Sequence, residues 1–282
     1  HTGQSPTLRG LFAAGEAACW DMHGFNRLGG NSVAETVVAG MIVGEFIADF
    51  CESAKGDLDI PTALIRAAVE VERAKLDVLL HGGGTERADA IKIEMQQTMT
   101  DRVGIFRTGA DLEEAVHRLQ GLLLRSRNIG LRHKADGPNP ELVTAYRTQK
   151  MLKVALCMAT GALARTESRG AHFREDFPAR NDAAWLRRTL AMWRDAGDTL
   201  PCLTYEPLDV MGMELPPGWR GYGAKNYVDH PDTPRRAEEV ANAREQLKDA
   251  DRHAVQAAVM PYEHLLPERF RGRNERIDEK LP

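Results

Sequence analysis

The side chains with the clearest chemistry lie in a glycine-rich stretch near the start of the chain. Arg27 carries a planar fork of donors that fits a carboxylate. Ser32 begins an apolar helical pattern and is followed three residues later by Glu35, which is typical of a helix start. A helix start has unpaired N–H groups and about half a positive charge. This stretch therefore suits a carboxylate at Arg27 and a polar ring that becomes anionic at the helix start.

A strand, a loop and a helix must position these side chains. Residues 11–14 are a short apolar run typical of a buried strand, and Gly15-Glu16 end it. Gly29 and Gly30 let the backbone of the loop approach a ligand closely. The pattern also fits an ordinary strand–turn–helix junction, in which the two glycines only allow close packing and Ser32 only caps the helix.

Composition limits the classes of protein to consider. The 282 residues are 43% hydrophobic and 28% charged, which predicts a soluble folded protein of one large or two ordinary domains. A net charge of −4 gives no reason to propose nucleic acid as a partner. The longest apolar segment, residues 33–50, is broken by acidic residues and glycines, so we predict a core helix and no membrane span. The four cysteines form no Cys-x-x-Cys pair, which argues against a zinc or iron–sulfur site within the chain.

The rest of the pattern is mostly helical. Because a single buried strand needs neighbours, we expect the chain to be the C-terminal piece of a longer protein, with the missing sheet before His1. Helical spacing predicts a helix from Ser32 to about Ala54 and three or four antiparallel helices with short loops after it, which is typical of a bundle. The helical patterns cover residues 63–80, 85 to 103 or 106, 112–123 and 141–167, and residues 108–111 precede the third of them.

The C-terminal third has a different character. Residues 165–180 are dense in opposite charges, which fits either a charged docking site or a salt-bridged helix exit. Two apolar runs, residues 186–193 and 200–205, flank a Gly-containing loop and favour a hairpin over a helix. A Gly/Pro-rich arm (211–225), a charged helix (234 to about 260) and a polar tail follow. The predicted fold class is mainly α: the end of an α/β domain (1–55), a helical bundle (56–182) and an extended C-terminal region with a small hairpin (183–282).

Two separated signatures resemble one enzyme family. Residues 10–16 (GLFAAGE) with 23–32 (HGFNRLGGNS), and residues 165–178 (RTESRGAHFREDFP), resemble the flavoprotein subunit of fumarate reductase and succinate dehydrogenase. Residues 217–225 (PGWRGYGAK) and the basic tail are similar to the bacterial quinol:fumarate reductase branch. The resemblance covers essentially the whole chain and implies that residues 1–55 end an FAD-binding domain.

The resemblance also implies roles for particular residues. Glu16 matches the glutamate that contacts FAD, Arg27 matches the arginine that binds the dicarboxylate, and Ser32 and Val33 match the pair that meets the flavin at the helix start. The resemblance places the proton donor, the histidine of covalent flavin attachment and the dinucleotide fingerprint before His1. No catalytic proton donor and no metal ligand are therefore expected in these residues.

The implied function is interconversion of fumarate and succinate by hydride transfer with FAD, in a quinone-linked, membrane-associated complex of anaerobic respiratory electron transport. The implied partners are an iron–sulfur subunit and, through it, a cytochrome b-type membrane anchor, with iron–sulfur clusters and haem only in those partners. The implied location is peripheral, on the cytoplasmic face of the inner membrane. The 282 residues alone are expected to be inactive.

Two alternatives remain open on the sequence. An L-aspartate oxidase-like enzyme has a similar loop and also uses FAD, although residues 165–178 and the long tail argue against it. The chain alone could instead be a non-catalytic helical module that docks an iron–sulfur partner through residues 165–180 and the Gly/aromatic arm.

Overall fold

The computed structural model describes residues 4–5, 8–18, 31–54, 61–134, 137–208 and 229–249, which are 61% helical. Short strands make up two small sheets among them. The helices are α1 (Asn31–Ser53), α2 (Thr62–His81), α3 (Ala88–Arg102), α4 (Gly109–Arg125), α5 (Pro140–Ala164), α6 (Asp182–Trp185) and α7 (Thr233–Gln246). The strands are β1 (Phe106–Arg107), β2 (Phe173–Arg174), β3 (Arg187–Met192) and β4 (Cys202–Pro207).

The chain divides into two compact units. One unit comprises His1–Asp59 and Asp209–Pro282, and the other is Ile60–Leu208. The first unit contains α1 and α7, and the second contains the other helices and all four strands. No helix among the described residues is long and apolar enough to span a bilayer.

Helices α3, α4 and α5 pack against one another in the second unit and share one hydrophobic core. Their apolar residues recur at helical spacing, so one stripe of each helix is buried by its neighbours. The antiparallel order predicted for these helices stays a prediction. The buried core residues are Ala88, Ile91, Met95, Val103, Leu112, Ala115, Leu119, Leu122, Leu123, Ile129, Leu131, Ala145, Leu152, Ala155, Leu156, Ala159 and Ala162.

Polar caps fix where two of these helices begin. The Thr108 side chain accepts a hydrogen bond from the backbone N–H of Asp111, and Asn139 accepts one from Leu142. Pro140 is the first residue of α5, where a missing N–H costs nothing because that group has no partner within the helix. Helix α4 therefore begins at Gly109, inside the segment 108–111 that the sequence predicts to precede it, and α5 begins next to its predicted start at residue 141.

Helix α1 differs from the predicted core helix. Val33 is 71% exposed, and Val37, Met41 and Ile47 are exposed as well. Apolar residues occur on more than one face of α1. Among its described side chains, the buried face carries Glu35, Ala39 and Val43. The prediction of a core helix is therefore wrong for most of its apolar side chains.

Helix α2 also departs from the expected pattern. Although Leu64 and Val71 lie at helical spacing with Leu79, both of their side chains are exposed. Near its C-terminal end, Leu79 and Leu80 pack against the core formed by α3, α4 and α5. Only the C-terminal part of α2 therefore contributes to that core.

The small sheets stabilise the end of α5. Strands β3 and β4 form the expected antiparallel hairpin, and β3 packs on α5. Strands β1 and β2 form a two-residue parallel pair, Phe106 with Phe173 and Arg107 with Arg174, which the sequence did not indicate. Helix α7 (Thr233–Gln246) corresponds to the first part of the charged helix predicted from residue 234 to about 260, but it ends earlier, and residues 247–249 form a turn. The predicted arm at 211–225 and the polar tail lie outside the described residues.

Candidate functional site

A glycine turn packs against the start of α1 in the first unit. The run at residues 11–14 forms a single antiparallel bridge, Gln4 with Phe12, rather than the predicted strand. The chain then turns through a 3₁₀ segment, Gly15–Ala18. Gly15 has φ +67°, and a Cβ there would lie 3.0 Å from the Thr36 hydroxyl oxygen of α1. A side chain at residue 15 would therefore be strained by its backbone and crowded by α1.

The predicted flavin-contacting residues of this unit lie on two neighbouring elements. Glu16 is in the 3₁₀ segment and is exposed, while Ser32 and Val33 are in the first turn of α1. Helix α1 begins at Asn31, so Ser32 lies inside the first turn, where its carbonyl accepts a 2.8 Å hydrogen bond from the Thr36 hydroxyl. The helix start expected to receive an anion is thus present, next to the segment that carries Glu16.

An aromatic contact holds the approach to this turn against α1. The rings of Phe12 and Phe50 meet edge to face with centroids 5.5 Å apart, and the Arg9 guanidinium lies 5.6 Å from the Phe50 ring centroid. Such contacts add to the burial of apolar area and fix orientation. Residues 19–30, which include Arg27, lie outside the described residues, so the carboxylate-binding role of Arg27 stays a prediction.

Glu35 is a feature of this unit whose sequence context indicates only a helix start. It is 8% exposed, and its Oε1 atom is buried without a hydrogen-bond partner among the described residues. A buried carboxylate oxygen that has no donor is costly. The combination of a helix start and a carboxylate in need of a donor fits a bound group that offers both acceptors and donors, as FAD does.

The charged stretch at 165–180 is an internal network in the described structure. Glu167 is completely buried and accepts hydrogen bonds from Arg165, Arg169 and the backbone N–H of Asn181. Arg169 also pairs with Asp182 at the start of α6. Among the alternatives left open by the sequence, these contacts favour the salt-bridged helix exit over a docking site.

Two buried arginines neutralise the ends of two helices. Arg174 donates to the carbonyls of Ala162 and Leu163 at the end of α5, and Arg107 donates to those of Val103 and Gly104 just after α3. The C-terminal end of a helix carries a partial negative charge that a cation stabilises. The β1–β2 pair places both guanidinium groups at these ends.

His172 lies between these cations in its neutral form. Arg107 donates to Nδ1 over 2.9 Å, so Nε2 carries the proton and faces the carbonyl of Arg165 at 3.4 Å. Burial, with the nearby charges of Arg107, Arg165 and Arg174, lowers the pKa of His172 to about 4, although the Arg165 carbonyl acts in the opposite direction. The histidine therefore acts as a neutral acceptor at neutral pH.

We expect acidification to destabilise the chain through His172. The unfolded state binds a proton near pH 6.5 and the folded state only near pH 4, so stability is lost as pH falls between these values. Each unit of pKa difference corresponds to about 1.4 kcal/mol, and solvent screening reduces the effect. We therefore expect the free energy of unfolding to fall by roughly 2 kcal/mol. Urea unfolding at pH 7 and pH 4.5 measures the loss, and His172→Gln should flatten the pH dependence.

His133 supplies the control for this pH dependence. Its side chain is 83% exposed and lies 3.6 Å from the Glu141 carboxylate. His133→Gln should leave the slope of stability against pH nearly unchanged. A wild-type slope that survives His172→Gln would contradict the assignment.

A separate groove lies between α3 and α5 in the second unit. It has a volume of about 610 Å³, and its floor is formed largely by Met95, Met99, Met151, Val154 and Met158. None of the predicted site residues lines it. Methionines fill irregular apolar surfaces, so this groove does not by itself indicate chemistry.

Comparison with protein families identifies the class of these two units. The model of the fumarate reductase flavoprotein C-terminal domain matches residues 92–222, and an FAD-binding domain model matches residues 1–33. The second match ends in the first turn of α1, within the site described above. The order of the two matches is that of an FAD-binding domain followed by a helical C-terminal domain.

Comparison with individual proteins gives the same family. The chain is 49% identical over 276 residues to the fumarate reductase flavoprotein subunit of Helicobacter pylori, covering 97% of this chain and 38% of that protein. It is 32% identical to the succinate dehydrogenase flavoprotein subunit of Rickettsia felis, covering 78% of this chain and 37% of that protein. A quinol–fumarate reductase solved with menaquinol molecules matches with TM-score 0.65 and 35% identity, over 72% of this chain and 35% of that one.

The chain belongs to the family of fumarate reductase and succinate dehydrogenase flavoprotein subunits. It spans a little over one third of the length of the relatives that it matches. The resemblance carried by the two sequence signatures is confirmed.

Proposed function

We propose that this chain forms the C-terminal part of a flavoprotein subunit that interconverts fumarate and succinate with FAD. Its FAD-binding portion is the segment up to about residue 55, followed by an antiparallel helical bundle (56–182) and a C-terminal region (183–282). The observation that carries the proposal is the glycine turn at Gly15–Ala18 packed on the start of α1, where the FAD-binding match ends.

The proposed flavin contacts follow from this arrangement. Glu16 lies in the turn, and Ser32 and Val33 present the unpaired N–H groups of the first turn of α1. These groups and the helix dipole stabilise negative charge on the flavin ring. Bound FAD supplies the hydride chemistry, and the protein supplies orientation and electrostatics. Covalent attachment of FAD and the proton donor are proposed to come from residues that precede these in the longer subunit.

Arg27 is proposed to bind a carboxylate of the substrate. Its two parallel N–H donors match the two oxygens of a carboxylate, which fixes the angle of the dicarboxylate as well as its position. Holding the reacting carbon over the flavin in the reactive geometry lowers the activation free energy and so increases the rate of the reaction. Arg27 therefore positions the substrate while the flavin carries out the redox step.

The proposed partners receive or deliver the electrons. An iron–sulfur subunit exchanges them with the flavin, and a cytochrome b-type anchor links that subunit to quinone. Iron–sulfur clusters and haem are held by these partners. The flavoprotein is then peripheral on the cytoplasmic face of the inner membrane, in an anaerobic respiratory complex.

The test is a substrate comparison on the complete subunit that contains this chain. We expect a flavin-to-protein ratio near one and reduction of the flavin by succinate but not by L-aspartate. Absorbance of the flavin band under anaerobic conditions measures both. Reduction by L-aspartate alone would instead identify an aspartate oxidase, and absence of flavin would favour a non-catalytic docking module.

A further inference from the structure

Glu35 carries a buried carboxylate in the second turn of α1. The residue is 8% exposed and lies on the buried face of the helix with Ala39 and Val43, at four-residue spacing. Its Oε1 atom has no hydrogen-bond partner within the described part of the chain. Glu52, on the same helix, is exposed to solvent.

Burial without a donor is an unfavourable state for a carboxylate. Glu167 shows how this protein otherwise treats a buried carboxylate, because four hydrogen bonds from Arg165, Arg169 and Asn181 satisfy its two oxygens. Removing a carboxylate from water without such donors costs free energy that the fold must recover elsewhere. The unsatisfied Oε1 of Glu35 therefore indicates that a donor arrives with a bound group.

The position of Glu35 identifies the class of that group. Glu35 is three residues from Ser32, so the two residues share a face of α1. The FAD-binding match ends at residue 33, and the proposed flavin contacts surround this helix start. FAD carries hydrogen-bond donors in its imide N–H and in its ribityl and ribose hydroxyl groups.

Resting on the proposed function, we propose that Glu35 is a cofactor-binding residue whose carboxylate accepts a hydrogen bond from an N–H or O–H group of bound FAD. Its negative charge opposes the positive end of the α1 dipole, so it makes the anionic reduced flavin less stable. Glu35 thus lowers the reduction potential of the flavin, whereas the helix start raises it.

The experiment compares three variants in the FAD-loaded complete subunit: Glu35→Gln, Glu35→Asp and the exposed control Glu52→Gln. Spectral titration with redox dyes gives the flavin potential, and thermal unfolding gives Tm for the FAD-loaded subunit and for the subunit prepared before FAD is attached. We expect Glu35→Gln to raise the ratio of reduced to oxidised flavin about tenfold at a fixed solution potential. This change corresponds to a rise of about 30 mV in the reduction potential of a two-electron couple. Glu35→Asp keeps the charge and should stay near the wild-type potential, and Glu52→Gln should not shift it.

Stability measurements separate FAD from a protein donor. If FAD is the donor, Glu35→Gln should reduce the rise in Tm that FAD binding gives, without lowering the Tm of the FAD-free subunit. An unchanged flavin potential, or an equal loss of Tm with and without FAD, would overturn the proposal. A wild-type subunit that takes up no FAD would contradict the proposed function itself, and the role of Glu35 with it.

Discussion

Arg27→Lys in the complete subunit should abolish most fumarate reduction while FAD stays bound. Lysine keeps the charge but replaces a planar pair of donors with a single ammonium group, so it no longer fixes the angle of the carboxylate. Loss of near-attack geometry costs on the order of 100-fold in rate. We therefore expect kcat/KM for fumarate to fall by roughly that factor, measured by reoxidation of a reduced dye.

Two controls accompany the Arg27 variant. The flavin absorbance should match that of the wild type, because Arg27 is proposed to contact the substrate and not the cofactor. Arg66→Lys, at an exposed position on α2, should leave fumarate reduction unchanged. Normal turnover in Arg27→Lys would contradict the assignment of Arg27.

Glu167→Ala should be the most destabilising change at the end of α5. The variant would leave the guanidinium groups of Arg165 and Arg169 and the N–H of Asn181 without their shared acceptor. Breaking a buried ion pair by removing one partner costs about 3–5 kcal/mol. Urea unfolding of the 282-residue chain, followed by circular dichroism, measures the loss.

An exposed ion pair provides the comparison. Glu114 accepts a 2.6 Å hydrogen bond from Arg118 on the surface of α4, with both side chains about half exposed. Glu114→Ala should hardly change the unfolding midpoint, because exposed pairs contribute little. If both variants shift the midpoint by the same small amount, the network around Glu167 is not what stabilises this part of the protein.

The sequence predicts the helices well because their signals are local. Thr108 and Asn139 cap α4 and α5 with side chains adjacent in sequence to the helices, and the hairpin follows from a Gly-containing turn between two apolar runs. The β1–β2 pair joins residues 106–107 to 173–174, a separation that no local pattern reports. The sequence does not predict the exposure of Val33 and Val37. Hydrophobic periodicity identifies an apolar face of a helix, but it does not show which element, if any, packs on that face.

The candidate site was only partly predictable for the same reason. Glu16, Ser32 and Val33 could be assigned because they lie in a contiguous signature, and the structure places them on neighbouring elements. Glu35 was visible as a residue type but was interpreted as part of a helix cap, since burial of a carboxylate has no signature in one sequence. The cap function of Arg174 and the neutral state of His172 likewise depend on contacts across the fold.

The most direct test of the account is single-turnover oxidation of the reduced flavin. The complete subunit is reduced anaerobically, mixed with fumarate, and followed at the flavin absorbance band. We predict that fumarate reoxidises the flavin with formation of one succinate per flavin, and that Arg27→Lys slows this step on the order of 100-fold. A flavin that stays reduced in the presence of fumarate would contradict the central claim.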